Sequence, residues 1–268
     1  MKTRIISGAV FVVVLALTFF VAPQWVTAIT MAAMTALASY ELLHTTGLVK
    51  ELNLNIYSAL MAVFITFWSY LGCNHAVLVL GILVYTMLLF SELLFTSGKV
   101  SVEKLCYCLL SGLVIPFLLT ALLRIRIDYH WSILLIPFIM AYCSDTGAYF
   151  VGVFLGKHKM CPTISPKKTW EGFVGGILIA SASMMIFALV LDRQGHEVNY
   201  LLAAVYGLVG SVCSVFGDLN MSVIKRQTGI KDYGKLIPGH GGILDRFDSV
   251  MITAPLTEAL LLIIPFVV

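Results

Sequence analysis

Charge is scarce in this sequence. Asp, Glu, Lys and Arg make up 12% of its 268 residues, against about 25% in an ordinary soluble domain. With 60% hydrophobic residues and a mean hydropathy of +0.97, water is not the main solvent. Metal-site cysteine spacing is missing too. Of Cys73, Cys106, Cys108, Cys143, Cys161 and Cys213, only Cys106 and Cys108 are close together, and there is no CxxC pair or Cys/His array at zinc spacing. The cysteines therefore read as small apolar core residues. Internal repeats, low-complexity tracts and Ser/Gly linkers are absent, so 1–268 reads as a single integral membrane unit.

What is present is a succession of apolar runs, each long enough for the roughly 20 helical residues that cross a ~30 Å hydrocarbon core. They fall at 5–22, 25–44, 55–71, 76–95, 105–123, 132–152, 172–191, 200–221 and 250–268. The expected fold is an all-α polytopic membrane protein of about nine transmembrane helices. Little more than Pro23 and Gln24 separates the first two runs, which leaves a re-entrant pair open. Lys2 and Arg4 precede the first run as in a signal peptide, but the run is long and no small-x-small cleavage site follows, so an uncleaved first helix is expected. With the N-terminus in the cytoplasm, fourteen of the 17 Lys and Arg residues fall on the inner side. Arg124, Arg126 and Arg193 fall outside, a strong asymmetry under the positive-inside rule.

The polar chemistry is uneven. Residues 1–130 read as scaffold helices and 131–268 as a catalytic half. Asp145 lies inside the sixth span, where an ionisable group costs roughly 2.5 to 3.5 kcal/mol and normally marks a site. Ser214, Asp218, Ser222 and Lys225 recur at helical spacing on one face of the eighth span, with Asp218 about a turn from the expected exit. Beyond it, Gly239, Gly241 and Gly242 free the backbone to curl around a phosphate. Lys225, Arg226, Lys231, Lys235 and Arg246 supply positive charge there, and His240 sits among the glycines. Asp245 and Asp248, spaced i, i+3, are expected to share a face at the start of the ninth helix and to join Asp218 as ligands of a hard cation pair. A second cationic loop carries Ser165, Lys167, Lys168, Thr169 and Glu171, as expected of a head-group site. Glu41, His44 and Glu92 lie near span ends, which favours interfacial snorkelling or capping. Pro116 and Pro137 are expected to kink their helices.

The stretch Ser222–Asp248 resembles the signature of the phosphatidate cytidylyltransferases, the CDP-diacylglycerol synthases, at each of its fixed positions. The resemblance extends to Ser144-Asp145-Thr146-Gly147-Ala148-Tyr149, to Ser165–Gly172 and to Gly217-Asp218-Leu219. Asn220-Met221 depart from a Phe-Glu pair carried by many relatives, which puts a glutamate role at 221 in doubt. The resemblance implies attack of the phosphatidate phosphate on the α-phosphorus of CTP, with Mg²⁺ required and pyrophosphate released. It further implies Asp218 and Asp245 as the metal pair, with Asp248 and Asp145 in support. Lys225, Arg226, Lys231 and Arg246 would then hold the triphosphate, and Lys167, Lys168, Thr169, Ser222, His240, Gly241 and Gly242 the substrates. The expected partners are phosphatidic acid, CTP and the lipid bilayer, with no nucleic acid; a homodimer is among the assemblies this allows. The expected location is a bacterial inner membrane with the site facing the cytoplasm. The rival functions are a CTP-dependent lipid or polyprenol kinase and, from another class, a membrane transporter.

Overall fold

The structure, a computed structural model, describes every residue except Met1, Ser97, Lys99, Ile237, Pro238 and Val268, and the side chains of Lys2–Ile6 are also not described. Lys2, Arg4 and Lys99 of the charge count, and Pro238 of the signature, therefore lie outside the described side chains or residues. Ten helices and one hairpin follow in order. They are α1 (Lys2–Ala16, continued by a π-helical turn, Leu17–Val21), α2 (Gln24–Thr45), α3 (Leu52–Leu71), α4 (His75–Phe95), α5 (Val102–Asp128) and α6 (Trp131–Leu155). Then come β1 (Lys159–Cys161), β2 (Ser165–Thr169), α7 (Trp170–Arg193), α8 (Tyr200–Gln227), α9 (Leu244–Phe247) and α10 (Val250–Ile263). Among the described residues seven of these, α2 to α8, are long and apolar enough to cross a membrane. The chain is an all-α integral membrane protein.

The helix ends have local causes. Asn74 and Ser101 accept the backbone N–H of Ala76 and Lys104, capping α4 and α5. Pro116 follows a π-helical turn at Leu110–Val114, and Pro137 precedes one at Ile139–Cys143, so both prolines sit where the helical ladder is already irregular. Two boundaries differ from the sequence reading. Helix α8 continues to Gln227, stopped by Gly229 at φ +70°, because Lys225 and Arg226 are good helix formers that also suit the negative C-terminal dipole. Asp218 is thus more than two turns from the helix end, not one. The last helix ends at Ile263 instead of 268, where the chain folds back: Val198 bridges Val267, Asn199 N–H donates to Phe266 O at 2.7 Å, and the Tyr206 hydroxyl donates to Ile264 O at 3.1 Å.

The chain forms two compact units, residues 1–128 with 227–247, and 129–226 with 248–268. In the first, Leu43, Leu54, Met61, Ile65, Leu89 and Cys108 build a core around Tyr85, whose hydroxyl lies 2.8 Å from Ser58 Oγ and donates to Cys108 O at 2.7 Å. Helix α4 buries Tyr85 and Leu89 and turns Val79, Leu80, Leu83 and Met87 outward, the side suited to lipid. In the second unit small residues set the spacing, as expected where packing and not water drives association. A Cβ on Gly175 would meet Val151 Cγ2 at 2.4 Å, and one on Gly207 would meet Ser181 Cα at 2.4 Å. Ser144 and Ser211 join α6 to α8 at 2.7 Å, fully buried. Helix α10 joins the same unit through Thr253, which donates to Pro137 O at 3.0 Å. The cysteine expectation holds for buried Cys108 but not for Cys106, which is exposed.

Candidate active site

In the second unit, the cationic loop is a hairpin rather than a plain loop: β1 and β2 pair antiparallel, with Lys159 opposite Thr169. Two side chains that looked like head-group ligands hold this hairpin to α7. Thr169 Oγ1 accepts the Gly172 N–H at 3.1 Å as the helix cap, and the Glu171 carboxylate accepts the N–H groups of Lys157 and His158 and meets His158 Nδ1 at 2.6 Å. The hairpin therefore presents Lys167 and Lys168 from a braced support. A cavity of about 230 Å³ opens beside it, lined among others by Asp145, Tyr149, Lys167, Lys168, Phe173 and Asp218.

At this cavity Lys168 Nζ lies 2.6 Å from Asp218 Oδ2, with the two side chains 21% and 26% exposed. Ser222, one turn along α8, donates to Asp218 Oδ1 at 3.4 Å, so its hydroxyl orients the carboxylate from the opposite side. Arg226 Nε donates to Ile164 O at 3.2 Å, tying the end of α8 to the hairpin turn. Gly217 lets α8 approach the chain at Asp248, since a Cβ there would stand 2.6 Å from Asp248 O. Asp248 lies in the two-residue break before α10, its carboxylate accepting the Ser249 N–H at 2.8 Å. Desolvation, then the charge of Asp218, push its carboxyl well above the ordinary carboxylate range, with Lys225 opposing the shift. Ser249 Oγ donates to Asp145 Oδ2 at 3.4 Å. Asp218 thus lies within electrostatic reach of both Asp145 and Asp248, with Lys168 near Asp145 and Lys225 near Asp248.

In the first unit, the expectation that Asp245 and Asp248 share one helix face does not hold. Helix α9 is a single turn that ends at Phe247, and the two acids fall in different units. Asp245 is 8% exposed, and its Oδ2 accepts the N–H of Tyr233 at 2.7 Å and of Gly242 at 3.0 Å. Gly239 and Gly241 do use the left-handed backbone open to glycine, at φ +78° and +87°. The N–H of Gly242, however, points at Asp245 and not outward. His240 packs on α1, with Nδ1 3.5 Å from Ser7 Oγ and its ring over Gly8. Lys231 is exposed in the loop that leads to Tyr233, and Arg246 sits on α9 beside Asp245.

The residue that sequence reasoning passed over is Glu41. Its Oε1 accepts the Ile243 N–H and its Oε2 the Leu244 N–H, each at 3.0 Å, with the side chain 5% exposed. The sequence favours interfacial snorkelling or capping for it, and what it caps is the start of α9. The signal that could have found it is a carboxylate in an apolar span with no cation at helical spacing.

The pattern of the cytidylyltransferase family matches residues 2–264 of this sequence. The chain belongs to that family. A phosphatidate cytidylyltransferase of Haemophilus influenzae is 30% identical over 285 residues, covering 95% of this chain and 96% of its own. One from Staphylococcus haemolyticus is 35% identical over 183 residues, 68% of each chain, and one from Staphylococcus aureus is 43% identical over 129 residues, 48% of each. For a cytidylyltransferase, a hairpin lysine paired with an aspartate at a cavity has a ready use: both substrates would be phosphates.

Proposed function

We propose that this protein is a CTP:phosphatidate cytidylyltransferase, which forms CDP-diacylglycerol and releases pyrophosphate. The observation that carries this reading is the Lys168–Asp218 pair at a cavity bordered by Asp145 and Lys167, in a chain of this family. One substrate is held in the bilayer and the other is excluded from it, so the phosphates must meet at head-group level, where a braced hairpin of lysines would serve. A phosphate monoester with a second pKa of about 6 is largely ionised at neutral pH and needs no general base. What the reaction requires is alignment and neutralisation of crowded negative charge.

An oxygen of the phosphatidate phosphate attacks the α-phosphorus of CTP, and the bond from that phosphorus to the bridging oxygen of the β-phosphate breaks with its electron pair leaving on pyrophosphate. Lys167 and Lys168 draw substrate phosphate to the cavity. Lys225, Arg226, Lys231 and Arg246 offset the triphosphate charge and the charge growing on the leaving group. Hard carboxylate oxygens at Asp145, Asp218 and Asp248 suit Mg²⁺, and the sequence signature marks Asp245 as a metal residue in its own right. Among the described residues no three acidic, His or Cys side chains form a ready-made cage. Mg²⁺ is commonly held by one or two carboxylates plus substrate phosphates. When bound, the metal would polarise phosphate oxygens and neutralise them.

We place the N-terminus and the cation-rich segments in the cytoplasm of a bacterium, at its inner membrane, on the charge asymmetry of the sequence. The reading is tested with purified protein in vesicles containing phosphatidate. Pyrophosphate should appear only when CTP, phosphatidate and Mg²⁺ are all present, one for each CDP-diacylglycerol formed, and chelation should stop it. Pyrophosphate formed equally without phosphatidate would reduce the activity to CTP hydrolysis and overturn the proposal.

A further inference from the structure

We propose that Glu41, at the far end of the sequence from the signature, is the positioning residue that shapes the loop carrying Asp245 and Arg246. The inference deepens the cytidylyltransferase reading and rests on it for its kinetic half. Glu41 opens a π-helical turn, Glu41–Thr45, at the end of α2, a span that otherwise has little use for charge. A carboxylate buried to 5% exposure is costly unless hydrogen bonds satisfy it. Here both oxygens are satisfied by backbone, Oε1 by Ile243 and Oε2 by Leu244. Those N–H groups begin the single turn of α9, which has no residues of its own to accept them. Glu41 therefore caps, from another helix, the turn on which Asp245 and Arg246 stand.

The glycines of the loop give independent support. Gly234 and Gly242 are not among the glycines with positive φ, so backbone conformation does not require glycine at either position. Space does. A Cβ on Gly234 would lie 2.5 Å from Glu41 Oε1, and one on Gly242 would lie 2.3 Å from the same atom, closer than any real contact. Gly242 also donates its N–H to Asp245. The two buried carboxylates, Glu41 and Asp245, thus hold the backbone of Tyr233, Gly242, Ile243 and Leu244 between them, and glycine stands at 234 and 242, where Glu41 must enter. Phosphate cradling alone would not demand that fit.

The test combines amide hydrogen exchange with kinetics on the full chain in vesicles. Glu41→Gln keeps the size of the side chain but offers one acceptor where two donors point. Exchange at Ile243 and Leu244 should quicken at least tenfold in this variant, with helices elsewhere unaffected. kcat should fall about 10- to 100-fold, as for a misplaced catalytic group, while KM for CTP changes by less than about threefold. Gly242→Ala should show the same loss in the wild-type background but add no more than about twofold in Glu41→Ala, because its collision partner is gone. Equal damage from Gly242→Ala in both backgrounds, or normal exchange and kcat in Glu41→Gln, would overturn the proposal. Should wild-type protein fail to transfer cytidylyl groups, the exchange result still decides the role of Glu41 separately from the reaction.

Discussion

Asp218→Asn is expected to lower kcat/KM by about a thousandfold while the protein still folds into the membrane. The substitution preserves shape and removes only the charge that Lys168 meets at 2.6 Å and Ser222 meets from the other side. Removing one well-aimed electrostatic contact to developing charge costs about a hundred- to a thousandfold in rate, and Asp218 is assigned both to the metal and to the orientation of Lys168. The stability effect should be small. An ion pair with side chains 21% and 26% exposed is partly screened by solvent, which limits what its loss can do to the fold. Turnover and thermal midpoint measured on the same preparation separate these effects. Activity within tenfold of wild type would make the pair a structural one.

A comparable loss is expected of Asp245→Asn, and here the contrast with Asp245→Ala is informative. Oδ2 of the carboxylate accepts two backbone N–H groups, from Tyr233 and Gly242. Asparagine can keep an oxygen in that place, so the loop should survive while the charge needed for metal and triphosphate chemistry is lost. Turnover should fall at least about a hundredfold with the thermal midpoint nearly unchanged. Alanine leaves both N–H groups without an acceptor in a buried loop, at about 1 to 3 kcal/mol each, and should lower the midpoint as well. Full turnover in Asp245→Asn would restrict Asp245 to bracing the loop.

The membrane spans were legible because an apolar run of the right length has few alternatives in lipid. The stripe of Ser214, Asp218, Ser222 and Lys225 was legible for the same reason: helical spacing holds wherever the helix holds, and α8 carries all four. Hydropathy could not show that the chain turns back after Ile263, since Ile264, Phe266 and Val267 are as apolar in a bridge to Val198 as in a helix. It also could not show the π-helical turns, which change the hydrogen-bond ladder and leave composition alone. The hairpin at 159–169 looks like a loop in sequence because lysine, proline and serine carry little strand signal.

The site was harder, because several of its side chains act on partners distant in sequence. Glu41 meets Ile243 and Leu244 about 200 positions away, and no local pattern announces that. Thr169 and Ser222 read from the sequence as substrate ligands, and their hydroxyls are committed to a helix cap and to Asp218. Motif spacing located the polar groups. It could not tell a group that faces substrate from one that holds its neighbour.

The most direct measurement follows two labels through a single reaction. Protein in phosphatidate vesicles is given Mg²⁺ and CTP labelled at the α-phosphorus, or in a parallel reaction at the γ-phosphorus. The proposed function predicts that the α label enters the lipid as CDP-diacylglycerol and the γ label leaves as pyrophosphate. Label from the γ position in lipid, with CDP left in solution, would show a kinase and contradict it.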